Sequence, residues 1–201
     1  MLGEFDLDAL TAKVFSDNGT FTSSLNKFLD GLSDKELAAQ YRKAFALGTA
    51  GCRDMEDYEN AEVLRQYYGD DYERSGKRAA IYDKSGAVLG KSSGYNFASV
   101  MNAYLRTFSA GYINEVFPQL PFCKCSDELF YRDASMVIPD CYYEFKLSGG
   151  EDRAVIAVMG YAKDKATGAK TDEIIYGIEA IFDKTSEGWK CSRFNPHSIN
   201  Q

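Results

Sequence analysis

His197 is the only imidazole in the 201-residue chain, and it stands beside Ser198 in Phe194-Asn195-Pro196-His197-Ser198. Histidine is the side chain whose ordinary pKa lies nearest neutrality, so a proton-transfer role would fall to it first, with Ser198 and Asp133 as further catalytic candidates. No nucleophile-elbow pattern surrounds Ser23-Ser24, Ser92-Ser93 or Ser135, and a serine triad would have to recruit this one histidine. The plain alternative is a surface residue near a strand end. Tyr161, Tyr176 and Trp189, the only tryptophan, are the aromatic candidates for lining a ligand pocket under a curved sheet.

Cys123-Lys124-Cys125 comes closest to a metal motif, but a structural zinc site draws four ligands from paired clusters, and no second pair stands at a matching distance. Two thiols leading into a strand are the simpler reading. Asp54, Glu56, Asp57, Glu59 and Glu62 lack the alternating oxygen ligands and central glycine of a calcium loop, so they read as a solvated helix face. Neither a metal nor a cofactor is therefore expected. Tyr58, Tyr67 and Tyr68 interleave with those acids, and tyrosine, which joins rigid apolar area to a polar tip, is enriched at interfaces. Asp54, Asp57, Tyr58, Glu62, Tyr67 and Tyr68 are accordingly the candidate protein-binding residues.

The charge distribution supports the same expectation. The net charge of −7 resides in residues 1–75, with 15 acidic against 8 basic side chains, while residues 76–201 balance. Such a field repels phosphate backbones and anionic lipid heads but suits a basic protein partner, and it leaves self-association open. No apolar run approaches the ~20 residues of a spanning helix, and Met1–Asp8 lacks the basic and apolar segments of an export signal. Five irregularly spaced cysteines, Cys52, Cys123, Cys125, Cys141 and Cys191, fit free thiols in a reducing compartment such as the cytoplasm better than a disulfide framework. Asn18-Gly19-Thr20 would be a glycosylation acceptor only in a secreted protein.

The elements that would position these residues fall into two stretches. Residues 1–75 read as an acidic helical region. Leu25, Phe28, Leu29 and Leu32 share one face of Thr22–Leu32; Ser33-Asp34-Lys35-Glu36 has the spacing of a capping box; Leu37, Tyr41, Ala44, Phe45 and Leu47 then recur at helical period. Asp54–Tyr72 continues the helical pattern. Residues 76–201 read as an α+β domain, continuous with the first stretch or separate from it. It begins with a hairpin turning at Asp83-Lys84-Ser85-Gly86 and continues into a long helix over 96–117, ended by Pro118, whose Val100, Met101, Tyr104, Leu105 and Phe108 should pack on a sheet. Apolar runs at Leu129–Val137, Tyr142–Leu147, Arg153–Ala162, Glu173–Phe182 and Gly188–Phe194, separated by glycine-bearing or Pro-Asp turns, predict a curved antiparallel meander.

This order of elements, a long helix followed by a meander ending in Glu187-Gly188-Trp189-Lys190, resembles the cystatin-like cone of the NTF2-like superfamily over about residues 96–201. The resemblance implies a sheet wrapped around a helix with a mouth that can hold a ligand, in a group that includes lyases, isomerases, carriers and association domains. In its branch of association-domain relatives with carbonic-anhydrase members, a strand ends in doubled His and doubled Ser. Here His197-Ser198 stands between Pro196 and Ile199. Separately, Ile81–Leu89 resembles the turn of ligand-sensing extracellular domains. The expectation drawn from the residues is a non-catalytic protein-binding or assembly module, and the alternative is an NTF2-like small-molecule enzyme or carrier.

Overall fold

The structure, a computed structural model, describes residues 4–16, 19–49, 94–116, 122–125, 128–131 and 140–198. The hairpin expected at Ala79–Leu89, the helix expected at Asp54–Tyr72 with its acidic and tyrosine candidates, and Asp133 lie outside the described residues. The class is α+β, with N-terminal helices preceding a curved, four-stranded antiparallel sheet. Two compact units interleave along the chain: Met1–Leu7, Thr49–Arg106 and Ile113–Met136 make the first, and Asp8–Gly48, Thr107–Tyr112 and Val137–Gln201 the second.

In the first unit, β1 (Gly94–Asn96), β2 (Phe122–Cys125) and β3 (Glu128–Tyr131) form an antiparallel sheet in the order β1-β3-β2. Leu129 pairs with Tyr95 and Lys124 there, so the described start of the run expected to open the meander, Leu129–Tyr131, belongs to this other sheet. Alternating apolar residues make a strand, but they do not name its neighbour. The helix expected over 96–117 is two helices, α4 (Phe97–Thr107) and α5 (Ala110–Val116). Between them, Phe108 bridges to Cys191, the Ser109 amide donates to the Cys191 carbonyl at 2.9 Å, and Ser109 Oγ accepts from the Tyr112 amide as a helix cap. The apolar period runs on through the break, and only Ser109 signals it. Ala103 and Tyr104 are buried, but Leu105, expected on the packed face, is 44% exposed.

The second unit is a helical layer on one face of the meander. The helices are α1 (Leu7–Ser16), α2 (Gly19–Asp30) and α3 (Lys35–Thr49). The strands β4 (Tyr142–Gly149), β5 (Arg153–Lys163), β6 (Lys170–Thr185) and β7 (Gly188–Ser198) pair in sequence order. Strand alternation sends Ala154, Ile156 and Val158 of β5, Tyr176, Ile178, Ala180 and Phe182 of β6, and Trp189, Cys191 and Phe194 of β7 inward, where all are buried. Helical spacing delivers Phe21, Leu25 and Leu29 from α2 and Leu37, Tyr41, Ala44 and Phe45 from α3 to the same core. The ring of Phe21 meets Tyr143 edge-on at 4.6 Å, Phe28 stacks on Phe145, and Tyr41 lies 6.1 Å from Phe182. Arg42 ties the two helices together through Asn26 and Asp30. Glycines with positive φ sit in each of the three sheet turns, Gly149, Gly168 and Gly188, as the turn chemistry predicts.

Candidate functional site

The predicted pocket residues are not brought together. Tyr176 is buried on the inner face, opposite Gly160. A bulge follows, and Tyr161, paired with Ile174, lies on the outer face with the Lys170 ammonium 3.8 Å from its ring centroid. Lys170 in turn pairs with Glu144. Trp189 faces inward beside Lys184, eight residues along β6 from Tyr176, which is about 26 Å at a typical strand rise. On β7, His197 pairs with Gly177 and Ser198 with Tyr176 in backbone register.

At the Tyr176 end aromatic side chains meet on the inner face of the sheet. The Tyr143 and Tyr176 rings cross at 90° with centroids 6.3 Å apart, and Cys141 packs against Gly160 beside them. Burial pushes the phenols of Tyr41, Tyr143 and Tyr176 above their ordinary value. Burial likewise raises the Cys191 thiol, which disfavours the reactive thiolate. Cys141 and Cys191 are both free and buried. No group of three or more potential metal ligands occurs among the described residues.

The Trp189 end is open. A groove of about 650 Å³ is lined by Asp34 and Leu37 from the start of α3, by the β4–β5 turn from Leu147 to Asp152, and by Lys184 and Trp189 from the β6–β7 hairpin. Its frame is set by hydrogen bonds. One Asp34 oxygen accepts from the Leu37 amide at 2.9 Å and caps α3, while the other accepts from the Trp189 indole N–H at 2.8 Å. Asp34, and not Ser33, therefore supplies the cap, because the helix begins one residue later than the capping-box spacing implied. Those donors, Leu37 first, hold the Asp34 carboxyl below its ordinary value. Glu36 accepts from the Trp189 amide and packs against Gly188, where φ is +100° and a β-carbon would collide with the carboxylate.

The groove's chemistry is mixed. Leu147, 42% exposed, adds an apolar wall to the groove that the indole also lines. The exposed carboxylates of Glu151 and Asp152 have no ion-pair partner among the described residues, and the Lys184 ammonium stands 5.2 Å from the Trp189 ring centroid. The Asp152 carbonyl accepts from the Lys184 amide at 2.8 Å, which fixes the acidic turn against β6. Trp189 was identified from sequence as a pocket residue, but its neighbours come from three separate stretches of chain and share no local motif. No family model, curated protein or solved structure matches this chain. No helix among the described residues is long and apolar enough to cross a membrane.

Proposed function

We propose that this protein is a non-catalytic protein-binding or assembly module that uses the Trp189 groove as a contact surface. The observation that carries this reading is a groove that joins the exposed Leu147, a hydrogen-bonded indole and two carboxylates unpaired among the described residues. Protein contacts are built from such parts, an apolar anchor point held rigid and a charged rim that aids encounter. The acidic, tyrosine-rich stretch containing Asp54, Asp57, Tyr58, Glu62, Tyr67 and Tyr68 is a second candidate surface on the same charge logic.

The test compares three variants in affinity capture from the source cells. Leu147→Asp should abolish retention of a partner that the wild-type chain holds. Combined Asn and Gln replacement at Asp54, Asp57 and Glu62 should weaken capture and flatten its salt dependence if the acidic stretch contributes. His197→Ala should leave both stability and capture unchanged. A partner indifferent to Leu147→Asp defeats the groove. A hydratase, lyase or isomerase activity that falls by about 10²–10⁴ in His197→Ala favours the enzyme reading.

A further inference from the structure

We propose that the groove's occupant is an extended segment of a partner protein bearing lysine or arginine, whose cation takes the place at the Trp189 ring that Lys184 now holds. This names a partner class for the binding reading above and rests on it. The exposed Lys184 side chain lies with its ammonium 5.2 Å from the indole centroid, within the range in which an aromatic face attracts a cation. The chain thus carries an internal occupant of the chemistry proposed. An ammonium on a strand residue of the same hairpin is a tethered competitor, and an incoming cation need only displace it.

Charge supplies the second step. Asp34, Glu151 and Asp152 border the groove, and Lys184 is the only cation lining it among the described residues. Asp34 is occupied by the Leu37 amide and the indole N–H, so the carboxylates available to a guest are Glu151 and Asp152 on the turn. A lysine or arginine suits this geometry because its stem is apolar and its head is charged. The stem lies along the exposed Leu147, and the head takes the seat that Lys184 now holds at the otherwise buried ring, in a groove whose rim carries Glu151 and Asp152. A glutamate in the same position would meet like charge at the rim.

Trp189 is the chain's only tryptophan, so its fluorescence reports on the groove without interference. The probes are a short Gly/Ser peptide carrying Leu-Lys pairs, and the same peptide with glutamate or norleucine in place of lysine. The lysine peptide should give a saturable change at Trp189, weakened about 10-fold or more by 150 mM salt together with Glu151→Gln and Asp152→Asn. Lys184→Met should strengthen binding by about 3- to 10-fold, because it removes the competitor and keeps the stem. Equal binding of the norleucine or glutamate peptide overturns the cation seat while the binding reading stands. So does an absence of any change at Trp189 with a protein that still loses its partner on Leu147→Asp. Weaker binding in Lys184→Met overturns the displacement, since Lys184 would then belong to the contact. These three side chains are exposed, and thermal unfolding verifies that each variant is folded.

Discussion

The inner face of the four-stranded sheet ends in two different ways. At the Tyr176 end, Tyr143, Tyr176 and Cys141 close over Gly160, and burial raises the phenols above their ordinary pKa. At the Trp189 end a comparably large aromatic side chain is also buried, yet its indole N–H has a carboxylate partner, its amide has another, and a groove opens beside it. The difference lies in what each element brings. Gly160 lets side chains collapse onto the strand, whereas the first turn of α3 arrives with Asp34 and Glu36 and needs donors for them. Packing dominates one end and directed hydrogen bonding the other, and a binding surface is better served by the second because its atoms are held before a guest arrives.

The largest effect expected is on the packed region. Phe45 and Phe182 are fully buried, and truncating either to alanine should cost about 3–5 kcal/mol in urea unfolding. Leu105→Ala is the control, for Leu105 is 44% exposed and should lose under about 1 kcal/mol. A Leu105 loss as large as that of Phe45 would put Leu105 back on a packed face, as its helical spacing predicts.

That control marks where the sequence is legible. The alternation in Arg153–Ala162 and the glycines at 149, 168 and 188 predict the strands and turns of the meander, because strand period and positive φ are local properties. Position in a sheet is not local. Leu129 carries the same pattern and joins β1 and β2 instead. The break between α4 and α5 is set by Phe108 and Ser109 meeting Cys191, a residue some eighty positions away in the chain. The candidate site follows the same rule: Trp189 stands out by its type, but Asp34, Leu147, Glu151 and Lys184 become its neighbours only when two hairpin ends meet the start of a helix.

A smaller effect tests the hydrogen-bonded end. Asp34→Ala removes the α3 cap and the indole's acceptor, and should cost about 1–2 kcal/mol, while Ser33→Ala should be almost neutral. Because the Asp34 carboxyl is held below its ordinary value of 3.8, its contribution is complete at neutral pH and disappears as pH falls through the depressed folded-state value. Asp34→Asn keeps an acceptor without the charge. Its stability deficit relative to wild type should therefore be greatest at neutral pH and shrink below about pH 4. A deficit that grows on acidification would show that Asp34 is not stabilised as a carboxylate.

The smallest effect has the opposite sign. The Tyr41 hydroxyl is fully buried in a core with Phe45, Phe182 and Tyr176 and has no hydrogen-bond partner among the described residues, whereas the Tyr112 hydroxyl donates to the Phe194 carbonyl at 2.8 Å. An unpaired buried hydroxyl costs its desolvation, and phenylalanine fills nearly the same volume without it. Tyr41→Phe should therefore be neutral or stabilising by up to about 1 kcal/mol, while Tyr112→Phe should lose about 0.5–1.5 kcal/mol. Paired urea titrations read both. If Tyr41→Phe loses as much as Tyr112→Phe, the Tyr41 hydroxyl is bonded, and the core between the two ends of the sheet shares the directed chemistry of the Trp189 end. If the two variants move apart, the packed core tolerates an unsatisfied hydroxyl because its aromatic contacts outweigh the penalty, and the polar interactions that fix geometry in this unit are concentrated away from it.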